Sequence, residues 1–235
     1  MKIAIMQPYF LPYIGYFQLL KFTDIFVIYD NIQFTKKGWI HRNRFLQNGK
    51  DELFTISISK DSDFLDIKDR KLTLDYLEVN TKSLRKIESS YKKAPYFKEV
   101  YPLIKKCFLF EDHNNLFDFV YNSINIIKDY LKIETTILIS SKLDNENHLF
   151  KGKERVQFIC KKLNAYQYIN PIGGLSLYDK QDFKNQSIQL NFILSKNIEY
   201  PQFNNRFVPW LSIIDVLMFN SVEQVNKMLD QYELI

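Results

Sequence analysis

The stretch YDNIQFTKKGWIHRNRF places Asp30 ahead of a dense cationic run, Lys36, Lys37, His41, Arg42 and Arg44, with Trp39 and Asn43 among them. An arginine presents a planar fork that matches phosphate or carboxylate, and an indole stacks on a flat ring, so the set has the chemistry of an anion site. An imidazole near its ordinary pKa could accept a proton from an amine or hydroxyl, which makes His41 a candidate base. Asp30, closing an apolar run, is the other. The alternative is a solvated basic loop.

A second group lies earlier, in QPYFLPYIGYF. Pro8 and Pro12 stiffen the segment, and Gly15, with no Cβ, lets a ligand approach the backbone. Tyr9, Tyr13 and Tyr16 can stack on a base or sugar ring and hydrogen-bond through their hydroxyls, and Gln7 adds a polar group at the end of an apolar strand. Amides at the start of the following helix offer donors to a phosphate. The competing reading has the tyrosines packed beneath that helix.

A third group comes late. INPIGGLSLYD contributes Gly173, Gly174 and Tyr178, while YPQFNNRFVPWLSIIDVL contributes Tyr200, Gln202, Asn204 and Arg206. Ser212 and Asp215 share one helical face, where a cap or a buried hydrogen bond is the commoner role. No Ser/His/Asp set follows from spacing. His113 and His148 sit at polar helix approaches, and no three-ligand metal pattern appears, so no metal is expected.

These residues need elements to hold them. Residues 2–6 form an apolar strand, 12–21 a short helix and 24–30 a second strand, which together make a βαβ unit. Asn48-Gly49 between two strand-like runs predicts a hairpin. Residues 81–132 are expected to be helical, with Leu116, Val120, Ile124, Ile127 and Leu131 on an apolar face. A buried strand over 135–140, a helix over 152–165, and strands at 166–170 and 188–194 follow. Pro209 is expected to open a helix carrying Trp210, Ile213, Ile214 and Leu217, and Ser221 with Gln224 predicts a capping box. The pattern is α/β: a mostly parallel sheet with helices on both faces, in one domain over residues 1–235 with a helical insertion at 81–132. In such sheets ligands bind beyond the carboxyl ends of the strands, which is where Gln7 and Asp30 fall.

At 235 residues, 46% hydrophobic, the chain can bury a substantial core without staples. Cys107 and Cys160 are expected as buried thiols, which suits a reducing compartment. Gln7, Pro8, Pro12 and Gln18 spoil any signal-peptide centre, and no run approaches a membrane span, so a soluble cytoplasmic protein is expected. The net charge of +5 fits a small anionic ligand better than extended nucleic acid, which would call for denser basic tracts.

Tyr13-Ile14-Gly15-Tyr16 resembles the first signature of HUP-type nucleotide-binding folds, with phenols where that motif has histidines. More extensively, AIMQPYFLPYIGYFQLL, DIFVIYDNIQFTKKGWIHRNR, INPIGGLSLY and YPQFNNRFVPWLSIIDVL resemble the WbqC-like protein family of bacterial surface-polysaccharide gene sets. That resemblance implies a nucleotide-linked amino sugar as substrate and transfer of an acyl or aminoacyl group to its amine. Lys36, Arg42, Arg44 and the 13–16 helix start would hold phosphates. Gln7, Tyr9 and Tyr16 would orient the sugar, with Tyr16 also at the reacting centre and Asp30 or His41 taking the proton. The HUP resemblance implies instead an ATP-using ligase or nucleotidyltransferase. A non-catalytic nucleotide-sugar-binding subunit is the third reading. An acyl donor or ATP is the cofactor to test, and a homodimer the assembly.

Overall fold

A computed structural model describes residues 1–111, 114–143, 146, 149–204 and 206–235. The apolar run at the start becomes β1 (Lys2–Met6), its three central side chains fully inside. It pairs in parallel with β2 (Ile25–Ile28) on one side and β6 (Gln167–Pro171) on the other. Adding β5 (Thr136–Ile139), β7 (Gln189–Ser195) and β8 (Tyr232–Leu234) gives a six-stranded sheet in the order β5-β2-β1-β6-β7-β8, with β8 alone antiparallel. Succession runs outward from β1 through β2 to β5, then restarts at β6 on the opposite side. The order therefore reverses between β1 and β6, as in Rossmann-like sheets.

Side chains alternate along these strands, so each sheet face acquires its own core. Ala4, Phe26, Ile28 and Ile169 pack with α1 (Ile14–Phe22), α2 (Tyr76–Tyr91), α3 (Phe97–Phe108), α4 (Leu116–Tyr130) and α8 (Ile213–Phe219). Ile3, Ile5, Val27 and Tyr168 pack on the opposite face with Val156, Ile159 and Cys160 of α6 (Gly152–Lys162) and Phe183 of α7 (Lys180–Lys184). The short α5 (Ser140–Leu143) leaves β5 directly, and α9 (Val222–Met228) carries the expected capping box at Ser221 and Gln224. Both cysteines are buried free thiols, pushed up by burial, Cys160 to about 12.

The Asn48-Gly49 pair makes the expected hairpin, β3 (Arg42–Gln47) with β4 (Lys50–Thr55); both turn residues have positive φ, 52° and 74°. That hairpin forms its own two-stranded sheet.

Several boundaries differ from the sequence reading. The helical stretch starts at Tyr76 rather than at residue 81, and it comprises three helices. β5 was expected to be buried, yet it is the outer strand of the sheet and none of its residues is fully enclosed. α8 begins at Ile213, not at Pro209: Ser212 caps it through the Ile214 amide, and Trp210 stands outside the helix at φ 60°. No helix among the described residues is long and apolar enough to cross a membrane.

Candidate functional site

The loop leaving β1 is strapped down from three directions. The amide of Phe10 donates to the Ile40 carbonyl at 3.0 Å, and the Asn43 amide group donates to the Leu11 carbonyl at 2.9 Å. The Ser212 hydroxyl donates to that same Leu11 carbonyl at 2.6 Å, and the Ile213 amide to Pro12 at 2.8 Å. The Ser212 amide closes the ring of contacts on the Arg44 carbonyl at 2.8 Å. Leu11 pays for this arrangement with a left-handed φ of 44°. The consequence is that three segments far apart in sequence, 9–13, 39–44 and 210–213, share one junction.

On the outer side of that junction lies a cavity of about 270 Å³, walled by Tyr9, Pro12, Tyr13, Trp39 and Trp210, with Asn43 and Arg44 supplying its polar edge. Arg42 and Arg44 alternate along β3 and so project from the same side. Their guanidinium carbons sit 5.7 and 5.2 Å from the centre of the Trp39 ring. Arg42 is spent locally, donating to the carbonyls of Lys37 and Gly38. Arg44 pairs with Asp51 at 3.2 Å, but its Nε is buried with no hydrogen-bond partner. Burial raises the pKa values of Tyr9 and Tyr13, so both phenols remain donors at neutral pH. Tyr13 and Trp210, ring centres 6.0 Å apart, separate this cavity from a second one of about 290 Å³ lined by Ile14, Tyr200, Phe207 and residues 194–198.

Other candidates have different surroundings. Tyr16 is buried among Phe17 and Phe26, its hydroxyl donating to the Gln7 carbonyl at 3.2 Å. Gln7 in turn accepts from the Tyr9 hydroxyl. The space beside Gly15 is filled by the Tyr13 ring, which a Cβ would meet at 2.4 Å, so this glycine makes room for an aromatic of its own chain. Asp30 is buried and accepts the amide and hydroxyl of Ser141, tying β2 to α5. His41 packs against Phe34, and burial with the adjacent Arg42 charge lowers its pKa to about 4; its Nδ1 has no partner. The imidazole is therefore neutral through the physiological range and a feeble proton acceptor. Lys36 pairs with Asp63 at 2.6 Å in the open, and Lys37 is exposed.

Gly173 and Gly174 belong to a 3-10 turn after β6, where a Cβ on Gly174 would strike the Asn170 amide nitrogen at 1.7 Å. Tyr178 lines a different cavity, beside Tyr29 and Arg155. Tyr200 and Gln202 donate to one oxygen of Asp215, at 2.8 and 2.6 Å, while Tyr91 donates to the other at 2.7 Å. Asp215 is fully buried, and burial raises its pKa to about 6 against the opposing pull of these donors. His113 and His148 lie outside the described residues, and no cluster of three metal-ligating side chains occurs among those described.

The profile of the WbqC-like protein family matches residues 7–227, from the end of β1 into α9. This chain belongs to the WbqC-like family. Its relative in Mycobacterium tuberculosis, the uncharacterized protein Rv1507c, is 32% identical over 221 residues, covering 93% of each chain. A weaker match, 24% identical over 74% of this chain, falls on 18% of a DNA-directed RNA polymerase subunit beta from Eimeria tenella. No solved structure matches. In this WbqC-like protein Pro12, expected to stiffen the site segment, is a cavity wall, and Trp210, expected on a helix, is another. Trp210 had a signal in Ser212-x-x-Asp215, the pattern of a helix start, which puts residue 210 in the preceding loop.

Proposed function

We propose that the protein is an enzyme that binds a nucleotide-linked amino sugar in the aromatic cavity and promotes acyl or aminoacyl transfer to the sugar amine. The observation that carries this reading is Arg44 at the polar edge of a cavity whose other walls are Tyr9, Tyr13, Trp39 and Trp210. Flat aromatic faces suit the apolar faces of a sugar ring or a base, and the guanidinium suits one phosphate of the diphosphate. The resemblance to WbqC-like proteins of surface-polysaccharide gene sets implies the same ligand class.

In the transfer, the amine nitrogen attacks the donor carbonyl carbon, the C–N bond forms, the bond to the donor's thiolate or adenylate leaving group breaks, and the amine proton goes to that departing group or to solvent. His41 and Asp30 enter this scheme as a neutral imidazole and a carboxylate engaged by Ser141. The protein's contribution is thus orientation of an already neutral amine. These two facts also favour a second reading, a binding subunit that presents the nucleotide sugar to another enzyme. Incubation with a nucleotide-linked amino sugar and coenzyme A thioesters or ATP plus amino acids, followed by product mass, separates them. A mass gain equal to the acyl group supports the enzyme; saturable sugar binding with no new mass across the donors supports the carrier; absence of sugar binding overturns both.

A further inference from the structure

A third cavity, of about 550 Å³, opens at the end of β2 and is separate from the aromatic one. Its lining includes Tyr29, which follows β2 and whose amide donates to the Met6 carbonyl at 2.7 Å. The cavity therefore lies beside the end of β1, next to the place where the strand order reverses, the position at which sheets of this topology hold ligands. Arg155 of α6 reaches it as a 93% buried side chain. The guanidinium carbon lies 4.8 Å from the centre of the Tyr29 ring, and Nη1 donates to the Asn31 carbonyl at 2.9 Å, so the fork is held in one orientation. Lys151 adds an exposed cation to the same wall.

An anion alone would also meet Asp66, which lines this cavity. Asp66 is fixed by the bridge between its backbone and that of Gln33, and its carboxyl pKa is raised, chiefly by desolvation and then by Asp69. A carboxylate in that state gains from neutral donors such as hydroxyls. Cation, carboxylate and aromatic walls together match a ligand with a phosphate, a diol and a flat ring. We infer that this cavity is a second binding site, for a nucleoside phosphate. Arg155 and Lys151 meet the phosphate, Asp66 accepts from the ribose hydroxyls, and Tyr29 and Tyr178 flank the base. The inference does not depend on the ligand of the aromatic cavity.

The test uses AMP and inorganic phosphate as probes in calorimetric titrations of the full chain. Wild type is expected to saturate with AMP and to prefer it to phosphate. Lys151→Ala, an exposed change that leaves folding intact, weakens AMP by about tenfold through loss of one charge-assisted contact. Asp66→Asn removes much of the preference for AMP over phosphate, and Arg44→Ala leaves AMP affinity unchanged. No saturable AMP binding, an affinity untouched by Lys151→Ala, or a loss produced by Arg44→Ala instead overturns the second site. A preference for AMP that survives Asp66→Asn overturns the role of that carboxylate.

Discussion

The hydroxyl of Tyr91 donates to the buried carboxylate of Asp215 at 2.7 Å and accepts the amide of Leu46 at the same distance. One phenol thereby joins α2 to α8, 124 positions away, and to β3, 45 positions away. Because the other carboxylate oxygen accepts Tyr200 and Gln202, and Gln202 also pairs both ways with the backbone of Val208, the same network holds Tyr200, a wall of the cavity of about 290 Å³.

Tyr91→Phe leaves the buried Leu46 amide without its acceptor and Asp215 with one donor fewer. A loss of roughly 1–3 kcal/mol in urea unfolding is expected. The Asp215 pKa should rise further, because a donor that favoured its charged form is gone. Unchanged stability would mean that the network is dispensable.

Asp215 should also make stability depend on pH. Its folded pKa of about 6 lies above the roughly 3.9 of an unfolded aspartate, so the folded state binds this proton more tightly. The group's contribution is complete below about pH 4 and is lost as pH rises through 6, by roughly 3 kcal/mol in all. Asp215→Asn does not titrate. The stability deficit of that variant, measured by urea unfolding, should therefore shrink between pH 4 and pH 7; a constant deficit would contradict the shift.

Trp210 separates stability from binding. It is 61% exposed and held at φ 60°, a backbone conformation that a bulky residue occupies only with strain. Trp210→Gly should relieve about 1 kcal/mol of strain while removing a wall of the cavity. The melting temperature is expected to hold or rise as sugar affinity falls. A large drop in melting temperature would make Trp210 a packing residue.

Where local signals were strong, they sufficed. The apolar run of β1 and the Asn48-Gly49 turn needed no distant partner to be read. What the sequence concealed was long-range. Nothing local distinguishes Tyr16, on the buried face of α1, from Tyr13, which faces the cavity three residues earlier. Nor does spacing reveal that Tyr200 and Gln202 share a partner, Asp215, which sits beyond a loop and is fully buried. His41 has the right chemistry in isolation, but enclosure beside Phe34 and Arg42 suppresses its basicity. Pro209 suggested a helix start where Ser212, the stronger cap, sets the boundary.

The central claim is tested most directly by calorimetric titration of a nucleotide-linked amino sugar into wild type and Arg44→Ala. Arg44 joins the polar edge of the cavity to its Trp39 wall, with 30% of its side chain exposed. Loss of one charge-assisted phosphate contact should weaken binding by about tenfold or more, with the melting temperature of the unliganded protein little changed. Equal affinity for the two proteins, or no saturable binding by wild type, would contradict the account.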